Sequence, residues 1–308
     1  MKILQEKTNA ALSVIGFGLP DLNAIRLPEV VYHYTDVAGF LGIISSGFLW
    51  ATDYRFLNDS SELSYVFRLA SEVVREEYLG AHSGLAGKFL DYAASAPPPY
   101  SGTPYYLCCF SELDNSLSQW RAYGGQQGFS LAFPGDITTQ RGYDSGDKQN
   151  PGLTLLKVQY NKDKQKSYIR ALINSLLELC ESTHMKECAD ENRAMASFLP
   201  FFWGQLERAS YRFKHPDFEV EAEWRLVAWG DVRSELYRPS KTIVPYTKFS
   251  IYSKKYSWGN FALPLRSVRC GPGSFPDDTL YALNRSLDAH GYKDRFCKRL
   301  QSFTPARM

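Results

Sequence analysis

Residues 30–52 read VVYHYTDVAGFLGIISSGFLWAT, and the elements packed into them decide the fold class. Val30–Tyr34 is a β-branched and aromatic run of strand type. Thr35 or Asp36 can cap a helix on which Val37, Phe40, Leu41 and Ile44 recur at i, i+3, i+4 and i+7, and Gly47 can take the left-handed position that ends it. Phe48–Thr52 then forms a second strand. Packing and capping explain every part of this unit except His33, which a structural strand would not need to be a histidine.

Upstream, residues 1–23 are mixed and broken by Gly and Pro, and no window reaches the roughly 18 to 20 apolar residues that span a bilayer. Downstream, Asp59 with Glu62 three residues on makes a capping box for a helix whose apolar face is Leu63, Val66, Phe67, Ala70, Val73 and Val74. Asn58–Asp59 is a turn and cap on this reading, or the edge of a pocket. Residues 80–104, rich in Gly, Ala and Ser with Pro97–Pro99, have the composition of a loop or linker.

Strands follow at Tyr105–Phe110, ending on Ser111, and at Gly128–Phe133, with a short helix from about Ser116 to Tyr123 between them, stopped by Gly124–Gly125. Residues 134–152 suit a long hairpin connection to a strand at Leu153–Tyr160. From Asp163 to Arg212 the period becomes helical: Ile169, Leu172, Ile173, Leu176, Leu177 and Cys180 share one face, and a second helical segment runs through Met195–Phe202 to Tyr211. Strands at Val220–Trp229, Thr242–Tyr246 and Val268–Gly271 and a helix at Asp277–His290 complete the chain. The expectation is one α+β domain over residues 1–308, built from two packed β-sheets with peripheral helices, with residues 163–212 as a helical insertion.

The chain has 308 residues, 44% hydrophobic and 22% charged, with a net charge of +2. That composition fits a folded soluble protein, and so small a net charge gives no field that implies nucleic acid or a membrane surface. The six cysteines lack C-x-x-C spacing, and the vicinal Cys108–Cys109 pair is poorly suited to a disulfide framework, which points to a reducing cytoplasm. Cys180, His184 and Cys188 lie four apart on a helix face, but about 12 Å of helical rise separates the outer two. Tetrahedral coordination needs bonds of about 2.0 to 2.3 Å, so no metal site is assigned.

The strongest local pattern is FEVEAEWRLVAW, residues 218–229. Alternation places Val220, Ala222, Trp224 and Leu226 on one strand face and Glu219, Glu221, Glu223 and Arg225 on the other. Carboxylates at i and i+2 stand about 6 to 7 Å apart, close enough to serve one ligand. The same pattern also fits a solvated edge with a local Glu–Arg pair.

Taken in order, YHYT (32–35), LWAT with FLNDSSE (49–52, 56–62), CFSE with SQWRAYGGQQG (109–112, 118–128), EAEWRLV (221–227) and CGPG (270–273) resemble a widespread bacterial family of uncharacterised domains. Its motifs are His-Tyr-Thr, Phe-Asn-Asp-x-x-Glu, Trp-x-x-Tyr-Gly and Glu-x-Glu-x-Arg. More loosely, a His on the first strand, a Ser ending a middle strand and a Glu-x-Glu on a later one resemble the three-part signature of ADP-ribosyltransferases. Two features depart from that signature: Ser111 is not followed by a second Ser in alternation, and a His paired with a Ser combines two subclasses.

The second resemblance implies an ADP-ribosyltransferase-like fold and an NAD-consuming transferase. It also implies a bacterial toxin or phage-defence effector acting on a macromolecular acceptor, with an antitoxin or operon partner. NAD would be the substrate, with Glu223 as the carboxylate that stabilises positive charge on the ribose as the nicotinamide bond breaks, and Glu221 orienting or activating the acceptor. His33 would bind ribose or amide groups of NAD beside Ser111. Thr35 and the helix N-terminus behind it would offer donors to a phosphate. Tyr34, Trp120 or Tyr123 would stack on nicotinamide, and Arg225 would meet pyrophosphate or temper Glu223. Two alternatives stand beside this one: an NAD or nucleotide glycohydrolase, and a non-catalytic nucleotide-binding or interaction module.

Overall fold

The structure is a computed structural model that describes residues 26–57, 61–95, 105–139, 155–181, 191–229, 235–239, 242–253, 263–273, 276–293 and 297–302. In chain order the first elements are β1 (Val30–Asp36), α1 (Val37–Ser46), β2 (Leu49–Asp53), α2 (Ser61–Glu77), α3 (Gly84–Ser95), β3 (Tyr105–Ser111), α4 (Leu117–Tyr123) and β4 (Gly128–Pro134). They continue with β5 (Thr138–Thr139), β6 (Leu156–Lys157), α5 (Lys162–Glu181), α6 (Glu191–Ser210) and β7 (Glu223–Trp229). The last are β8 (Leu236–Pro239), β9 (Ile243–Phe249), β10 (Ile251–Tyr252), β11 (Ser267–Cys270), α7 (Pro276–Ala289) and β12 (Lys298–Gln301). The architecture is α+β with a mixed, mostly antiparallel sheet.

The chain divides into two compact units. One comprises residues 27–58, 103–158 and 219–308; the other comprises 1–26, 59–102 and 159–218. In the first, ten strands form one network in the order β12-β11-β4-β1-β3-β2-β9-β8, with β7 also on β3 and β6 on β7; β5 and β10 make a separate two-strand ladder. Among the paired strands of the described residues, only β11 and β12 run parallel. Instead of two separate packed sheets, the strands are joined through β3. Along one edge β3 pairs all seven of its residues with β7. Its other pairings are short: Ser111 opposite Tyr32 of β1, and Leu107 and Tyr106 opposite Thr52 and Asp53 of β2. Neither short ladder includes Cys108–Phe110, so β1 and β2 part from β3 at its middle.

The β1-α1-β2 unit forms as its sequence requires. The Asp36 carboxylate accepts the Gly39 N–H at 2.8 Å and caps α1, and Gly47 ends it at φ 70°. The buried face is Gly39, Phe40, Ile43 and Ile44, whereas Val37 and Leu41 are exposed. Phe40 stacks on Phe129 of β4 with centroids 4.3 Å apart. Gly42 faces the Trp50 indole so closely that a Cβ there would collide with the ring.

The second unit is helical. Its apolar core joins α2, α3, α5 and α6 through Val66, Val73, Phe89, Leu90, Ile173, Phe198 and Phe202. The expected face of Ile169, Leu172, Ile173, Leu176, Leu177 and Cys180 is buried. Thus the block at 163–212 packs with α2 and α3 in one unit. Helix α3 corrects the loop expected over residues 80–104. Ala86, Phe89, Leu90, Ala93 and Ala94 are its buried stripe, and alanine, which composition counts as loop-like, is the strongest helix former. The Asp59 cap, the proline run, and the His184 and Cys188 positions lie outside the described residues. So does most of the long connection after β5.

Two further corrections concern strands. Of the strand expected at Leu153–Tyr160, residues 153–154 lie outside the described residues, and the rest holds a strand at Leu156–Lys157 and a single bridge at Gln159. The strand expected from Val220 begins at Glu223: Pro216–Glu221 is a 3-10 turn, and Ala222 has φ 45°. Val220 is 60% exposed, so the apolar half of the expected alternation has no buried face there. Glu219 and Glu221 therefore do not share a strand face with Glu223.

Candidate functional site

Strand registers fix where the sequence candidates point. Tyr32 of β1 lies opposite Ser111 of β3, and Ser111 lies opposite Glu223 of β7, so these three occupy one row across adjacent strands and one face of the sheet. His33 is one residue further along β1 and points to the other face, where its ring lies 5.6 Å from that of Phe110 and its Nδ1 3.8 Å from Cys108 Sγ. The structure therefore puts the three signature residues on neighbouring strands but does not converge their side chains.

The Ser111–Glu223 side is occupied by its own contacts. Ser111 Oγ donates to the Glu221 carbonyl at 2.7 Å and accepts from the Leu113 N–H at 3.1 Å, while the Glu112 N–H donates to the Ala222 carbonyl at 3.0 Å. These bonds hold the backbone that takes Ala222 through its left-handed conformation. Both carboxylate oxygens of Glu223 accept from Arg225, from Nε and from Nη2, each at 2.8 Å, and both residues are buried. The planar fork of arginine matches a carboxylate in this way. Arg225 thus forms a buried ion pair with Glu223, and the pair is not a solvated edge. Cys109, opposite Arg225 in the ladder, has its thiol pushed well up by burial and by the Glu223 charge.

Several expected ligand contacts are engaged elsewhere. The Tyr34 hydroxyl donates to the Leu113 carbonyl at 2.6 Å and accepts from the Ser116 N–H at 3.0 Å, and burial pushes its pKa up to about 12. Trp120 packs edge-on against Tyr34 at 4.7 Å and donates to Asn115 Oδ1 at 3.0 Å. Both are buried supports for the loop after β3 and cannot stack on a ring in this arrangement. Tyr123 and Thr35 are half-buried. The N-terminus of α1 is filled by the Asp36 carboxylate, so an anion there would meet a like charge.

His33 has a definite local task. Its Nδ1 donates to the Cys109 carbonyl at 2.9 Å, at the place on β3 that neither β1 nor β2 pairs. A carbonyl only accepts, so Nδ1 carries the proton and Nε2 holds a lone pair. Nε2 has no hydrogen-bond partner among the described residues. Burial lowers the His33 pKa, the Cys109 bond opposes that, and the Arg238 charge adds to the lowering. The imidazole is neutral at pH 7.

Arg238 escaped the sequence reading. Its strand β8 pairs with β9, and β9 with β2, in registers that put Trp50, Thr52, Tyr246 and Arg238 on one face. Arg238 Nη2 donates to Thr52 Oγ1 at 2.8 Å, and its guanidinium lies 6.0 Å from the Trp50 ring and 5.9 Å from the Tyr246 ring. Those rings are 4.9 Å apart. No carboxylate forms an ion pair with Arg238 among the described residues, and Arg238 Nε and Trp50 Nε1 are buried without a partner. No motif marks this constellation. The sequence carried no strand signal at Leu236–Pro239 that could have found it.

A family model described as Protein of unknown function (DUF2971) matches residues 119–226. The match supports an uncharacterised domain family, and it spans Trp120, Tyr123, Glu223 and Arg225 but not His33 or Ser111. No curated protein and no solved structure matches the chain. Among the described residues no helix is long and apolar enough to cross a membrane, and no group of three or more His, Cys, Asp or Glu could hold a metal ion.

Proposed function

We propose that the sheet-bearing unit is a nucleotide-binding module of ADP-ribosyltransferase-like type whose ligand is NAD or a close relative, and that it binds this ligand without transferring from it. One observation carries the reading: His33 is held as a neutral Nδ1–H imidazole, leaving its Nε2 lone pair for a ribose hydroxyl or an amide donor, while both Glu223 oxygens are taken by Arg225. Cleavage of the nicotinamide bond needs an available carboxylate beside the ribose, and a carboxylate already neutralised by a guanidinium stabilises little further positive charge. The row Tyr32-Ser111-Glu223 favours the transferase as a second reading, because it sets two of the three signature residues side by side.

Thermal unfolding and calorimetric titration of the full chain with NAD, ADP-ribose and ATP, combined with an assay for nicotinamide release, separate these readings. Binding of NAD that His33→Ala weakens, with no nicotinamide released, is the expected result. Nicotinamide release by the wild type establishes the transferase or glycohydrolase reading instead. Absence of binding to all three nucleotides removes the nucleotide assignment altogether.

A further inference from the structure

We propose that Arg238, anchored on Thr52 and backed by the Trp50–Tyr246 ring pair, is a phosphate-binding subsite. A guanidinium withdrawn from water is costly unless an opposite charge or a full set of acceptors meets it. Arg238 is partly buried, yet its only hydrogen bond within the described residues is the one to the Thr52 hydroxyl, a neutral acceptor. The carboxylate with the largest electrostatic pull on it is Asp36, which is engaged at the start of α1 and forms no ion pair with it. The ring faces of Trp50 and Tyr246 offer the cation partial compensation. They cannot accept its N–H groups in the plane of the guanidinium.

The setting is fixed rather than adaptable. Trp50 is seated against Gly42 of α1, where no larger residue fits, and lies 4.9 Å from the Tyr246 ring at a tilt of 34°, so the guanidinium has a rigid backing. Thr52 holds Nη2 in place, leaving Nη1 without a partner among the described residues. An anion bound there completes the coordination of a charge that no carboxylate among the described residues pairs with. Planar guanidinium donors suit tetrahedral phosphate oxygens, and the identity of the anion as a nucleotide phosphate rests on the nucleotide reading above. The existence of the anion site does not.

Calorimetric titration of the full chain with sodium pyrophosphate, at constant ionic strength so that general screening is held equal, tests the subsite apart from NAD. Wild type is expected to bind pyrophosphate, Arg238→Gln to bind it at least about tenfold more weakly, and Arg238→Lys, which keeps the charge but loses the fork, to fall between them. If Arg238→Gln does not fold, the lysine variant and Trp50→Phe carry the comparison, and affinity unchanged in both overturns the proposal. Pyrophosphate binding that is equal in wild type and Arg238→Gln also overturns it. NAD binding without pyrophosphate binding rejects this subsite and leaves the nucleotide reading intact. Pyrophosphate binding through Arg238 without NAD binding keeps the subsite and rejects that reading.

Discussion

Arg225 and Arg238 belong to the same sheet-bearing unit and have opposite circumstances. Arg225 lies on β7, where the ladder with β3 is complete, and gives both ends of its fork to Glu223. Arg238 lies on β8, at the end of the strand order, and among the described residues it meets one hydroxyl and two ring faces. A buried charge that the protein has matched serves structure, whereas one it has left unmatched is available to something else. The sequence motif drew attention to the first arginine, and the packing draws it to the second.

The contrast is broken most severely at Glu223. Glu223→Gln leaves the buried Arg225 guanidinium without its counter-charge, and loss of one partner of a buried pair costs about 3 to 5 kcal/mol. Urea unfolding of the variant is expected to show a lowered midpoint with an unchanged slope. Replacing both partners together, as in Glu223→Leu with Arg225→Met, is expected to recover most of that loss, since an apolar pair of similar volume avoids the desolvation. A single variant as stable as wild type would show that the pair contributes nothing to the fold and would return Glu223 to the catalytic candidates.

On the opposite face, His33→Phe keeps a ring against Phe110 but withdraws the donor from the Cys109 carbonyl. An unsatisfied buried acceptor costs about 1 to 3 kcal/mol, so this variant is expected to lose less than Glu223→Gln. The pH dependence gives the histidine its own signature. Burial lowers the folded-state pKa of His33 from 6.5, so as pH falls through 6.5 the unfolded chain takes up a proton that the folded one does not. Wild-type stability therefore declines relative to His33→Phe below pH 6.5, and the difference between them is constant from pH 7 to 8. A gap that widens on acidification would mean that His33 is charged in the fold.

How far these roles could be read in advance depends on the range of the interactions behind them. The strand-helix-strand unit at residues 30–52 was legible because capping by Asp36 and termination by Gly47 act within a few residues. Longer apolar strands such as β3, β4 and β9 were legible for the same reason, whereas the short β8, β10 and β12 carried no strand signal and the start of β7 was misplaced. There the alternation of FEVEAE also fits a 3-10 turn, and the choice is made by Ser111 and Glu112, more than a hundred residues away. Helix α3 was hidden by its alanine and glycine content. His33 could be singled out by elimination, but its bond to Cys109 depends on β1 and β2 parting from β3, which no local pattern encodes. Arg238 was invisible because what distinguishes it is the lack of an ion-pair partner among the described residues, a property of three strands brought together.

That lack makes the smallest expected effect the most informative. Most substitutions of a half-buried arginine that touches aromatic rings lose packing along its stem as well as charge. Arg238→Met keeps the stem against Trp50 and Tyr246 and removes only the guanidinium. If the charge is as poorly matched as the geometry indicates, the desolvation relieved offsets the lost Thr52 bond and ring attraction. The unfolding free energy is then expected to stay within about 1 kcal/mol of wild type, with any change toward greater stability. In that case Arg238 is maintained at the expense of the fold, which is the behaviour of a residue kept for a ligand. A loss comparable to that of Glu223→Gln would instead make Arg238 a second structural arginine, and the difference between the two ends of the sheet would disappear.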